Sequence, residues 1–234
     1  PLGSRFDEMD AIVTFDNVLV PWERVFVVEN VEVANNLYVK SSYKPLVLHQ
    51  VISRQVEKTA FILGLAQAIV DTIAIGEYQH VREKIVDIIA FYESMKSLLL
   101  TSEMNASFDK WGTMVPDLNP LAAAITLYPK QYPRLVEIVQ LLGASGLVSI
   151  PTEKDFSSPI RGDLDQYLQA TNSNAERKVK LFRLAWDATM SAFGSRQTLY
   201  ERFFFGDPVR FVHGTYMEYE RREFVDNIYS FIEA

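Results

Sequence analysis

The sequence predicts an all-α fold: an up-down four-helix bundle with a short β remnant ahead of it. Three observations carry that expectation. From about Leu46 onward, apolar residues return at three- and four-residue steps, the period of helices that bury one face. Runs of β-branched and aromatic residues, which suit strands, are confined to residues 10–34. Helices of this length owe most of their stability to facing apolar stripes, and an antiparallel bundle is the simplest way to supply them.

The elements follow in order. Pro1-Leu-Gly-Ser4 reads as the scar of a cleaved expression tag. Residues 5–40 read as the tail of a β domain whose remainder is missing, so the chain reads as a piece of a longer protein. Within that tail Ala11-Ile-Val-Thr-Phe15 and Arg24-Val-Phe-Val-Val28 are the strand-like runs, parted by turn signals at Asp16-Asn17 and Pro21. Residues 41–234 read as the helical-bundle domain.

In that domain a first helix is expected over 46–76, with Ile52, Val56, Leu63, Ile69, Val70 and Ile73 along one face. A second carries the heptad stripe Val81, Ile85, Ile88, Tyr92, Met95 and Leu99, suited to shallow antiparallel packing. Pro116, Pro120, Pro129 and Pro133 predict a loop with at most a short helix over 106–133, followed by a third helix over Tyr132–Leu142 that ends near Gly143. Residues 147–172 read as a loop holding Pro151, Pro159 and a short turn near Asp163–Leu168. Ser173 or Asn174 caps the next helix, with Ala175, Val179, Phe182, Trp186 and Met190 inward. A last helix starts after Asp207-Pro208 and runs into the C-terminus.

The totals exclude several classes. Among 234 residues, 48% are hydrophobic, ample for a large core, and the formal charge of −7 with no basic run argues against nucleic acid. No apolar run approaches the roughly 18 residues that cross a bilayer. The chain has no cysteine, which excludes disulfides and thiolate ligands and fits a cytoplasmic protein. His49, His80 and His213 have no ligand spacing, so no metal is expected.

Two segments could carry chemistry: Gln140-Leu-Leu-Gly-Ala-Ser-Gly146 and Phe193-Gly-Ser-Arg-Gln197. Each places glycine and small polar residues at the mouth of a helical pattern, where backbone N–H groups can meet an anion. The residues alone leave two readings open: a helix C-cap with a turn and a mid-helix glycine, or a pair of ligand contacts. Together the segments resemble the flavin-contacting Gln-x-x-Gly-Gly-x-Gly and Glu-Gly-Thr-x-Glu motifs of the acyl-CoA dehydrogenase superfamily. Phe15-Asp-Asn-Val-Leu-Val-Pro-Trp-Glu-Arg-Val-Phe26, Ser158-Pro-Ile-Arg-Gly-Asp163 and Tyr200-Glu-Arg-Phe-Phe-Phe-Gly-Asp-Pro208 resemble its branch of flavin-dependent 4-hydroxyphenylacetate 3-monooxygenases.

That resemblance implies the acyl-CoA dehydrogenase-like C-terminal bundle and a cofactor-binding set of Gln140, Gly143, Ala144, Ser145, Gly146, Gly194, Ser195, Arg196 and Gln197. Ala144 departs from the pattern, since relatives often have a second glycine there. The implied reaction is ortho-hydroxylation of a phenol by a flavin C4a-hydroperoxide. Reduced FAD and O₂ would be co-substrates, with a separate NAD(P)H:flavin reductase as partner and a homotetramer as the assembly. Substrate-binding residues lie in the family's N-terminal half, so no catalytic residue is expected in this chain. Phe193 stands where medium-chain acyl-CoA dehydrogenases carry their proton-abstracting glutamate, which weakens a thioester reading. His49 matches the cluster histidine of 4-hydroxybutyryl-CoA dehydratase, but Val56 replaces its cysteine, so His49 reads as a helix-start residue bonded to backbone. Phe203-Phe-Phe205 reads as core or interface, and Pro21-Trp22-Glu23-Arg24 as packing at the β-to-α junction. Other phenol or chlorophenol hydroxylases of the branch, or an assembly module without activity of its own, are the alternatives.

Overall fold

The computed structural model describes residues 2–6 and 11–233, with Val39 described in its backbone alone. Pro1 of the expected scar, residues 7–10 of the expected β tail and Ala234 lie outside the described residues. The elements are α1 (Gly3–Phe6), α2 (Val31–Lys40), α3 (Tyr43–Ile73), α4 (Gln79–Met104), β1 (Ser107–Phe108), β2 (Met114–Val115), α5 (Leu118–Gly143), α6 (Arg161–Tyr167), α7 (Ala175–Thr189), α8 (Ala192–Phe203), α9 (Pro208–Glu218) and α10 (Arg222–Glu233).

The bundle is built from α3, α4, α5 and a fourth rod formed by α7 and α8 in succession. Leu48, Ile52, Ile62 and Ile69 of α3 close on Val81, Ile88 and Met95 of α4 and on Leu121, Tyr128 and Ile138 of α5, all buried. The expected stripes are thus largely in place, with Leu63, Ile73, Tyr92 and Leu99 half-buried at their margins. Capping follows the side chains: Asn174 Oδ1 accepts from the Arg177 N–H (2.9 Å), and Asp207 Oδ1 from the Val209 N–H (3.0 Å) next to Pro208 at the first helical position.

Four expectations are corrected. The first concerns α5, which runs unbroken from Leu118 to Gly143 where a loop was expected. Pro120 sits in its first turn, where no N–H bond is lost, but Pro129 and Pro133 are interior. Each removes one backbone hydrogen bond. What holds the helix is a buried stripe running straight through them: Leu121, Ile125, Tyr128, Tyr132, Leu135, Val139 and Leu142, at alternating steps of four and three. Tertiary burial outweighs the local cost.

The second concerns residues 11–28. Among the described residues no strand forms there; 11–20 are irregular and Trp22–Arg24 is a single 3-10 turn. A strand exists through its partner's hydrogen bonds, and the described strands are β1 and β2, which pair only with each other. The third is α2, a helix where the β tail was expected, started by Asn30 Oδ1 accepting the Val33 N–H at 3.0 Å. The fourth is the C-terminus, which holds two helices because helical structure is interrupted at residues 219–221.

Smaller differences follow. Met190 is exposed because α7 ends at Thr189. His49 bonds not to backbone but to Glu103 (2.8 Å), joining α3 to α4. Among the described residues no helix is long and apolar enough to cross a membrane, and no group of side chains could hold a metal ion.

Candidate functional site

The first candidate segment closes α5. Gln140 lies in its last turns, and its Nε2 donates to the Thr189 carbonyl across 3.0 Å. Gly143 precedes the 3-10 turn Ala144–Leu147, and Gly146 lies within it. A methyl on Gly143 would lie 2.5 Å from Leu147 Cγ, and one on Gly146 would lie 2.6 Å from Phe182 Cε1. Both glycines therefore serve close packing inside the chain. The residue that takes the unusual backbone is Ala144, at φ 44° and ψ −139°, a region that glycine occupies far more readily. Ala144 and Ser145 are exposed on the outside of the turn.

The second segment opens α8. Ser191 caps it, its Oγ accepting the Gly194 N–H at 3.1 Å. Gly194 is buried against the end of α7: a methyl there would lie 2.6 Å from the Thr189 nitrogen and 2.8 Å from the Ala188 oxygen. Ser195 is exposed. Arg196 and Gln197 line a cavity of about 440 Å³, together with Arg54, Lys58, Phe61, Tyr132, Phe193 and Tyr200. That size falls within the range of small-molecule and cofactor sites.

The two segments thus meet at Thr189 through Gln140 and Gly194, yet they face different spaces. Arg196 and Gln197 open on the cavity, whereas none of Gln140, Gly143, Ala144, Ser145 and Gly146 lines it. The turn at 144–146 instead packs through Gly146 on Phe182, two helical turns back along α7 from Thr189.

A charged cluster runs from the cavity wall into the core, and no local sequence motif announces it. Glu201 has a side chain with 0% exposure. Arg54 reaches it with both terminal guanidinium nitrogens (Nη1 to Oε1 2.5 Å, Nη2 to Oε2 3.1 Å), and Lys58 Nζ donates to Oε1 at 2.7 Å. The same Lys58 Nζ donates to Gln197 Oε1 at 2.6 Å and lies 4.8 Å from the centre of the Tyr132 ring. Burial by itself would raise the Glu201 carboxyl, but the Arg54 hydrogen bond and the Lys58 charge together hold it below the ordinary value. Burial pushes the Lys58 ammonium down, and the Glu201 charge offsets only part of that. Burial drives the Tyr132 hydroxyl up, so it stays protonated at any physiological pH.

A sequence signal for this cluster existed. Arg54 and Lys58 stand four residues apart on α3, as do Gln197 and Glu201 on α8, so each pair shares one helix face. That those faces meet is a tertiary fact.

Comparison with known proteins is consistent with this architecture. The family model "4-hydroxyphenylacetate 3-hydroxylase C terminal" matches residues 34–233, and "4-hydroxyphenylacetate 3-hydroxylase N terminal" matches residues 1–27, including the segment expected to be a tag scar. A probable 4-hydroxyphenylacetate 3-monooxygenase of Bacillus subtilis (strain 168) is 55% identical over 234 residues, all of this chain and 48% of that protein. The crystal structure of the oxygenase component of 4-hydroxyphenylacetate 3-monooxygenase superposes with a TM-score of 0.91 at 44% identity, over 94% of this chain and 47% of that one. The same component complexed with FAD and 4-hydroxyphenylacetate gives a TM-score of 0.90 at 44% identity, over 94% and 46%. The chain spans about half the length of the curated relatives it matches.

Proposed function

The chain belongs to the 4-hydroxyphenylacetate 3-hydroxylase family, and from that premise we propose that it is the C-terminal helical part of a flavin-dependent phenol hydroxylase's oxygenase component. The substrate we assign is 4-hydroxyphenylacetate, hydroxylated ortho to its OH, with reduced FAD and O₂ as co-substrates. A separate NAD(P)H:flavin reductase would supply the reduced flavin, and the cytoplasm is the compartment this implies. The support is the family match over residues 34–233 together with a relative that is complexed with FAD and that phenol.

The residues present fit a flavin nucleotide. Arg196 brings a guanidinium and Gln197 a carboxamide to a cavity whose other walls include Phe61, Tyr132 and Phe193, a donor set suited to phosphate or ring-edge acceptors beside an aromatic surface. When bound, reduced FAD supplies the reaction with O₂ that delivers one oxygen atom to the phenol ring. The chain's own residues bind and orient. Arg196 and Gln197 hold the ligand from the cavity side, with Ser195 and the N-terminal turn of α8 next to them. Gln140 and Gly194 fix that turn against Thr189. Gly143, Ala144, Ser145 and Gly146 form a second, outward contact that we assign to a flavin held mainly by a neighbouring protomer. No catalytic residue is assigned within this chain.

A homotetramer is part of the same proposal. Ile12, Phe15, Leu19, Trp22 and Phe26 are all strongly exposed along one segment, a run of large apolar side chains that suits a covered surface. The amphipathic α10 also leaves Phe224, Ile228, Phe231 and Ile232 exposed on one side. These faces suit burial by the rest of the enzyme and by other subunits, and they favour the second reading that the domain also serves assembly. The function is tested with the intact enzyme: given reduced FAD, O₂ and 4-hydroxyphenylacetate it should form the catechol, while this chain alone should not. An intact enzyme that releases only hydrogen peroxide with that phenol but hydroxylates another would reassign the substrate within the branch.

A further inference from the structure

The charged cluster that reaches from the cavity wall to Glu201 fixes more than a flavin site by itself requires. Gln197 carries an amide with one acceptor oxygen and two N–H donors, and its orientation in a binding site decides which of them a ligand meets. Lysine can only donate. Lys58 Nζ lies 2.6 Å from one amide atom of Gln197, so that atom must be the oxygen. Lys58 is itself pinned by Glu201 Oε1 at 2.7 Å, and Glu201 is fixed by the two-pronged contact from Arg54. The three links form one chain, from a wholly buried carboxylate to a residue on the cavity wall.

We infer that Glu201 and Lys58 are positioning residues that lock the Gln197 carboxamide with its N–H edge toward the cavity, so that this wall recognises a hydrogen-bond acceptor on the ligand. The inference deepens the proposed flavin site and rests on it. Acceptors that suit are a ring carbonyl or ring nitrogen of the flavin, or an unesterified phosphate oxygen. With Arg196, another donor-only side chain, on the same wall, the cavity would accept electron-rich edges and turn away a ligand group that itself carries N–H. Lys58 suits the role for a second reason: its ammonium lies over the Tyr132 ring, 4.8 Å from the centroid, a contact that further favours this placement.

The experiment compares full-length variants by fluorescence titration with oxidised FAD, with melting temperature followed in parallel. Gln197→Glu keeps an oxygen for Lys58 but offers no donor, so the fold should hold while FAD binding weakens about tenfold, the worth of one hydrogen bond. Lys58→Met should weaken FAD binding by releasing the amide, and Lys58→Arg, which keeps donors for both oxygens, should restore most of it. If Arg196→Ala weakens FAD binding while Gln197→Glu binds as the parent does, the donor-edge inference is overturned and the flavin site stands. If Gln197→Glu loses affinity and Lys58→Met does not, the role of Lys58 and Glu201 is overturned. If neither Arg196→Ala nor Gln197→Glu alters FAD binding, the flavin reading of the cavity fails, and this inference with it.

Discussion

Gln140 and Gly194 converge on one residue. The Gln140 amide donates to the Thr189 carbonyl at 3.0 Å, and a methyl on Gly194 would come within 2.6 Å of the Thr189 nitrogen. Thr189 is the last residue of α7 and is buried, so its carbonyl is one of the end-of-helix acceptors that need a partner from elsewhere. The two glycine-bearing segments are therefore mechanically joined even though they open on different spaces.

Removing the Gln140 donor should act on stability first. Gln140→Leu keeps the volume but strands the buried Thr189 carbonyl, at a cost of about 1–3 kcal/mol. Thermal denaturation would register this as a lower melting temperature. An unchanged midpoint would mean that water serves that carbonyl equally well.

Gly194→Ala forces a methyl into the backbone of Ala188 and Thr189, which has no flexible end to yield. Overpacking of this kind costs about 1–3 kcal/mol, and the rigidity of the obstacle places this case near the top of that range. A melting curve superimposable on the parent's would show that α7 and α8 do not approach as closely as described.

Ala144→Gly should stabilise. At φ 44° and ψ −139° an alanine pays for its Cβ, and glycine relieves that strain at some cost in unfolded-chain entropy. The expected balance is a gain of about 1 kcal/mol. A loss of stability on this substitution would indicate that the methyl makes a favourable contact outweighing the strain.

Glu201 sets an acid limit. Its carboxyl is held below the ordinary value of 4.5, so its contribution is complete above that value and is lost as pH falls through its folded-state value. Glu201→Gln should destabilise at neutral pH by about 3 kcal/mol, since Arg54 and Lys58 lose their buried counter-charge. It should also flatten the dependence of melting temperature on pH below about 4.5. Lys58 runs the other way: its lowered folded value means that raising pH through that value removes a buried charge and favours folding. A variant with the parent's acid limb would locate the titrating group elsewhere.

Much of the fold is legible in the residues themselves. The stripe Val81, Ile85, Ile88 and Met95 of α4 is buried as the heptad predicts, and Asn174 and Asp207 cap the helices that begin after them. The difference at α5 has a definite cause: proline breaks helices locally, while the seven-residue stripe from Leu121 to Leu142 supplies enough burial to absorb Pro129 and Pro133. Residues 11–28 carry strand-forming side chains, but a strand also needs a neighbour, and propensity says nothing about whether one is present. For the site, the motif spelling led to Arg196 and Gln197, which do face a cavity, and led equally to Gly143 and Gly146, whose missing side chains serve Leu147 and Phe182. Lys58 and Glu201 escaped notice because their pairing spans 143 residues of sequence, and no local pattern encodes it.

The central claim is that the opening of α8 helps hold a flavin nucleotide. Its most direct test is the affinity of the intact oxygenase component for FAD with Arg196 replaced by alanine, measured by flavin fluorescence on protein whose melting temperature matches the parent's. A loss of about tenfold or more is expected, the scale of a charge-assisted hydrogen bond. An affinity equal to the parent's would contradict it.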